Sequence, residues 1–138
     1  MSSYQVIDEP KPTIYDSFVV NPVVILFASL LIPLFIDLPA FGRYWMPLLW
    51  ITVNSFLMGS PTKMKELMIS LLGFIAFVAL LAVMLYLLNT NVELSSFVTP
   101  YFRIGSQAIV FFTLYLIVYY QSTPYLILEY VKEQNKEH

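Results

Sequence analysis

The sequence predicts an all-α membrane protein with four transmembrane helices, followed by an amphipathic C-terminal segment. Three observations carry this. Hydrophobic residues make up 59% of the chain and charged residues only 12%, whereas soluble domains carry about 25% charged residues. The charges gather in 1–16, 63–66 and 129–138, leaving only Asp37, Arg43, Glu93 and Arg103 between. A soluble fold needs charges along every element to cover its surface. Finally, Leu67 to Leu88 is one uncharged apolar run, long enough to cross a hydrocarbon core of roughly 30 Å.

Residues 1–17 hold Pro10 and Pro12 with little periodicity and read as a cytoplasmic tail. They lack a basic run ahead of a short apolar core, so the first apolar segment is expected to stay in the mature protein. A transmembrane domain over 18–121 follows. Its first span covers about 18–36, with Asn21 as N-cap and Pro22 at the first helical position. Pro33 kinks its last turn, and Asp37 and Pro39 end it. Residues 37–43 form a tight turn, where Asp37 and Arg43 are placed to pair.

The second span, about 40–58, begins among Tyr44, Trp45 and Trp50, residues suited to a membrane interface. Pro47 is read as lying in its first turns. Gly59-Ser60-Pro61 stops it, and Thr62, Lys63, Lys65 and Glu66 make a short charged loop. The third span is 67–88, ended by Asn89-Thr90-Asn91. Residues 91–103 are too apolar for a plain loop and are expected to lie along the membrane surface. The fourth span is about 104–120. Residues 122–138 then form an amphipathic cytoplasmic segment, with Thr123 as N-cap and Pro124 first in its helix. That helix is either a separate interfacial element or a kinked continuation of span four. Spans one and two are short, proline-bearing and tightly joined, so a re-entrant hairpin is the competing topology.

Orientation follows from basic residues near span ends. Four spans put Lys11, Lys63, Lys65, Lys132 and Lys136 on one side and Arg43 and Arg103 on the other, which places both termini in the cytoplasm. A net charge of −2 and no basic stripe speak against nucleic acid as a partner. The chain has no cysteine, which removes thiolate chemistry and disulfides. Its single histidine, His138, is the last residue, and no helix pairs carboxylates within the membrane. No catalytic residue, metal site or cofactor is expected, and the chain is read as a non-enzyme.

Two residue sets stand out. Thr52, Asn54 and Ser55 form a candidate polar intramembrane cluster in span two, suited to hydrogen bonds with neighbouring helices or to a polar pocket. Arg103, Gln107, Phe111 and Tyr115 are a candidate partner-binding set on span four. Arg103 and Gln107 lie one turn apart, as do Phe111 and Tyr115. Gly73, Ala76, Ala79 and Ala82 permit close approach to span three, but their spacing drifts around the helix.

Asn21-Pro22, Pro33, and Asn54-Ser55-Phe56-Leu57-Met58-Gly59 followed by Lys63 resemble a pattern in small uncharacterised bacterial inner-membrane proteins. There a second span ends in Asn-x-x-x-Leu-Gly before a basic loop; Met58 holds the leucine position here. The resemblance implies a bacterial inner membrane and no particular activity.

Small four-helix multidrug exporters have a similar length, but they carry a glutamate in the first span, where this chain has none. The expected function is therefore binding to another membrane protein. The chain would serve as an accessory or assembly subunit of a membrane complex, or as an immunity protein against a membrane-acting toxin. The alternative is a small transporter or channel, a homo-oligomer with a path lined by Thr52, Asn54 and Gln107.

Overall fold

A computed structural model describes residues 17–36, 40–90 and 92–134. The described residues are helical, with no strand, in the order α1 (Pro22–Phe35), α2 (Ala40–Met58), α3 (Lys63–Thr90) and α4 (Val92–Gln134). The tail before Ser17, the Asp37–Arg43 pairing and the residues after Gln134 lie outside this description, wholly or through one partner.

Helix α1 starts as its sequence dictates. The Asn21 side chain accepts a hydrogen bond from the Val23 N–H at 2.9 Å, and Pro22 takes the first helical position. Both choices spend a backbone donor that the helix start would otherwise leave unmatched. At 14 residues, α1 is about 21 Å long. Helix α2 covers the expected 40–58, but Pro47 lies beyond its first turn. There it lacks the N–H that would bond to the Arg43 carbonyl.

The α2–α3 turn is a Schellman motif. Gly59, at φ 65°, sends its N–H to Phe56 O, and the Ser60 N–H reaches Ser55 O, each at 3.2 Å. Glycine takes this left-handed backbone without the Cβ clash other residues meet.

Helix α3 buries Glu66, Ser70, Gly73 and Phe77. That spacing is one stripe of a straight helix, repeating every three or four residues. Beyond Phe77, whose ring lies 4.8 Å from that of Tyr44, no described residue of α3 is buried. The core gathers Ile25 and Leu26 from α1, Leu48 and Ile51 from α2, and Val110, Leu114, Ile117 and Val118 from α4. Ile69 and Phe74 of α3 pack against it.

The largest departure from the sequence reading is α4, one helix of 43 residues. It is about 65 Å long, twice a hydrocarbon core. The expected surface segment 91–103 is its first part from Val92, and 122–134 its last. Thr123 and Pro124 are interior to the helix and start nothing. Pro100 and Pro124 each withhold a single hydrogen bond, and Leu128, buried one turn past Pro124, holds the last stretch to the body.

Among the described residues, two helices are long and apolar enough to cross a membrane, α3 and the part of α4 from Ser96 to Gln134; α1 is apolar but shorter. The expectation of four spans is thus matched by two helices on length and composition. Only 11% of the most apolar stretch of α3 is buried. Leu71, Leu72, Ile75, Val78 and Val83 face outward, a contiguous apolar surface that water does not favour.

Candidate functional site

Helices α2, α3 and α4 meet at one end in a knot of buried polar side chains, to which the segment entering α1 is tied. Glu66, Gln121 and Ser55 have no exposed surface, and Asn54 and Ser60 have almost none. Each owes its place to a local feature. Glu66 sits in the first turn of α3, where the positive end of the helix dipole favours a carboxylate. Its Oε1 accepts from Ser60 Oγ at 2.7 Å and from Thr62 Oγ1 at 2.5 Å, both set by the Schellman turn just before it. Its Oε2 accepts from Gln121 Nε2 at 2.9 Å. Among the described residues all three partners are neutral.

Gln121 carries the knot across the bundle. Its second N–H goes to the Ile51 carbonyl at 2.9 Å, and its Oε1 accepts from Asn54 Nδ2 at 3.3 Å. Asn54 in turn pairs with the backbone of Val20 in both directions. Val20 N–H donates to Asn54 Oδ1 at 2.8 Å, and Asn54 Nδ2 donates to Val20 O at 2.9 Å. The amide plays the part of a neighbouring strand and secures the segment entering α1. Buried polar groups are costly when unmatched. Here the Glu66 carboxylate and the amides of Asn54 and Gln121 are engaged, while Ser55 Oγ is buried without a hydrogen-bond partner.

The candidate cluster in α2 therefore splits. Asn54 belongs to the knot. Thr52 turns to α3: its Oγ1 lies 3.0 Å from Ser70 Oγ and 2.7 Å from its own Leu48 carbonyl, to either of which its one proton can go. Ser55 Oγ, fully buried, bonds to neither. Thr52, Asn54 and Gln107 lie apart within the single chain: Gln107 is exposed on α4, fourteen positions before the knot residue Gln121.

The span-four set stays together. Arg103, Gln107, Phe111 and Tyr115 follow one another every four residues along α4, so they share a face, and all four are exposed. Phe111 is 42% and Tyr115 53% accessible. Of the small residues on α3, only Gly73 lies inside, against Thr113 of α4. Ala76, Ala79 and Ala82 face outward.

Glu66 and Gln121 were missed in the sequence, where they read as a loop charge and a span end. A signal was present. Glu66, Ser70, Gly73 and Phe77 alternate polar, small and aromatic residues at the spacing of a packing seam, and that seam takes Glu66 out of the loop.

Two clefts flank the α1–α2 pair away from the knot. One, of about 430 Å³, lies against Ile32, Met46, Trp50 and Val53. The other, of about 500 Å³, opens between α1 and α4 beside Ile104, Gln107 and Phe111. Ser29, Pro33, Arg43 and Pro47 border both. Among the described residues, no group of histidines and carboxylates is placed to hold a metal. Compared with known proteins, the chain matches no family model, no curated protein and no solved structure.

Proposed function

We propose that this chain is a non-enzymatic, multi-pass protein of a bacterial inner membrane that works by binding another membrane protein along α4. Its two fitting forms are an accessory or assembly subunit of a membrane complex and an immunity protein against a membrane-acting toxin. The carrying observation is the Arg103–Gln107–Phe111–Tyr115 face, an exposed stripe that joins one cation and one amide to two rings. Aromatic residues and arginine dominate binding hot spots. The knot supports the same reading, since the polar groups of Asn54, Gln121 and Glu66 bond to one another and to neighbours inside the bundle.

The direct test is a photo-crosslinking residue placed at Tyr115, in the full chain expressed in its own host. A crosslink to one unrelated membrane protein is expected, and Tyr115→Ala should release that protein from the purified complex without lowering the melting temperature. A crosslink only between copies of this chain would overturn the reading in favour of a homo-oligomeric transporter.

Topology completes the proposal, with four crossings and both termini in the cytoplasm. Helix α1 is about 9 Å short of a 30 Å core, a mismatch that local bilayer thinning accommodates. Gly42→Cys is a mild probe, because among the described residues an added Cβ would meet Met46 Sδ alone, at 3.4 Å. It should react with a membrane-impermeant reagent from outside intact cells. If Asn89→Cys reacts and Gly42→Cys does not, α1 and α2 form a re-entrant hairpin and the chain crosses twice.

A further inference from the structure

Three oxygens of the knot lie within bonding distance of one another. Ser60 Oγ is 2.7 Å and Thr62 Oγ1 2.5 Å from Glu66 Oε1, and the two hydroxyls are 2.9 Å apart. The triangle has three edges, but an ionised Glu66 leaves only two protons to fill them, one on each hydroxyl. Both are drawn to the carboxylate, and those two edges have the lengths of O–H···O⁻ bonds. The third edge, between the hydroxyls, has the length of a neutral O–H···O bond and then holds no hydrogen.

One more proton, on Oε1, fills that edge. Oε1 donates to Thr62 Oγ1, Thr62 donates to Ser60 Oγ, and Ser60 donates back to Oε1. Ser60 Oγ keeps a lone pair for the Thr62 N–H at 3.2 Å, and Oε2 still accepts from Gln121. No heavy atom has to move. Glu66 has no exposed surface, so its proton needs a carrier, and Thr62 is placed to be one. Thr62 is half-buried and, with Gly59, Pro61, Tyr120 and Pro124, borders a cleft of about 600 Å³ between the α2–α3 turn and α4. A hydronium ion in the cleft gives a proton to Thr62 Oγ1, the proton already on Thr62 passes to Oε1, and a water molecule is left.

We propose that the Ser60–Thr62–Glu66 triangle is a reversible proton-binding site, loaded from this cleft through Thr62. The bound proton loosens the tie between α3 and α4, because Gln121 then donates to a neutral oxygen, and bonds to a charged one are about twice as strong. Among the described residues, few titratable groups surround the triangle. Helix α1 has none, and those of α2, Arg43 and Tyr44, lie about three turns from Ser55. On α4, Tyr119, Tyr120 and Tyr125 are phenols, a type that ionises at about pH 10, and Glu129 is exposed two turns past Gln121. Lys63 and Lys65 of α3 are exposed as well. This inference depends neither on the protein partner nor on the number of crossings.

The experiment is an infrared pH titration of the full chain in detergent, read as the difference between the parent and Glu66→Gln. Tryptophan fluorescence reports the fold in the same samples. On acidification a hydrogen-bonded carboxyl band that Glu66→Gln lacks should appear while the chain is still folded, and it should vanish on return to neutral pH. Thr62→Val keeps the shape of the side chain but removes two edges of the triangle. In that variant the band should appear at a higher pH, because the carboxylate has lost a donor, and at the frequency of a more weakly bonded carboxyl. If Glu66→Gln fails to fold, the shift between the parent and Thr62→Val reads the same group. A Glu66 band that appears only as the chain unfolds overturns the proposal, and so does a band that Thr62→Val leaves unmoved.

Discussion

Replacing Glu66 by alanine is expected to cost about 3 kcal/mol of stability or more, the largest effect of any single polar substitution in this chain. The carboxylate accepts from Ser60, Thr62 and Gln121. Hydrogen bonds to a charged acceptor contribute about 1.5–3 kcal/mol each, and donors left buried and unmatched add their desolvation cost. The three losses do not simply add, because the donors share one network. Glu66→Gln keeps the shape and some of the bonds, so it should fall between alanine and the parent. Glu129→Ala, on an exposed part of α4, is the control and should stay within about 0.5 kcal/mol. Thermal unfolding in detergent reads all three. If Glu66→Ala unfolds with its control, the knot is ornament rather than a fastening.

Gly73 is the second sensitive position, and there two effects oppose each other. An alanine would suit the helix better than glycine by about 1 kcal/mol. Its Cβ, however, would lie 2.5 Å from Thr113 Cγ2 and 2.9 Å from Thr113 Cβ. Thr113 is buried and branched at Cβ, so it cannot swing a flexible end aside and the helices must part. Overpacking of this kind costs about 1–3 kcal/mol. The net expectation for Gly73→Ala is a loss of up to about 2 kcal/mol. Thr113→Ala in the same chain should recover part of that loss, because it removes Cγ2 and Oγ1 but keeps the Cβ at 2.9 Å, and Thr113 Oγ1 donates to its own helix, at Ile109 O. A double variant no more stable than Gly73→Ala would place the clash elsewhere.

The parts of this fold that were legible are those decided by neighbours in sequence. Asn21-Pro22 starts a helix because a cap and a fixed φ act within a few residues, and Gly59-Ser60 stops one for an equally local reason. The bounds of α2 follow. The continuity of α4 was legible only in part: a continuation past Pro124 was one of two readings, but a start at Val92 was not expected, because a proline costs a helix only one donor, and tertiary packing outweighs that. Leu128, pressed to the body beyond Pro124, shows where the compensation lies. The knot was hidden for a different reason. Polar residues at span ends ordinarily face water, and only the antiparallel register of α3 against α4, with Gly73 beside Thr113, brings Glu66 level with Gln121. Arg103, Gln107, Phe111 and Tyr115 were legible as a face because a four-residue spacing is itself a helical property.

The bonds of the knot are also a timetable. Gln121 is separated along the chain from Glu66 by 55 positions, from Asn54 by 67 and from Ile51 by 70, whereas Glu66 reaches Ser60 and Thr62 within six. During synthesis the carboxylate therefore finds its two hydroxyl partners at once and waits for its amide until the last helix is made. Contacts this distant form late in folding. Until Gln121 arrives, Asn54 holds the entry to α1 without its own support on α4. The bundle thus closes from its last helix backwards, and a chain halted before residue 121 is left with an open end.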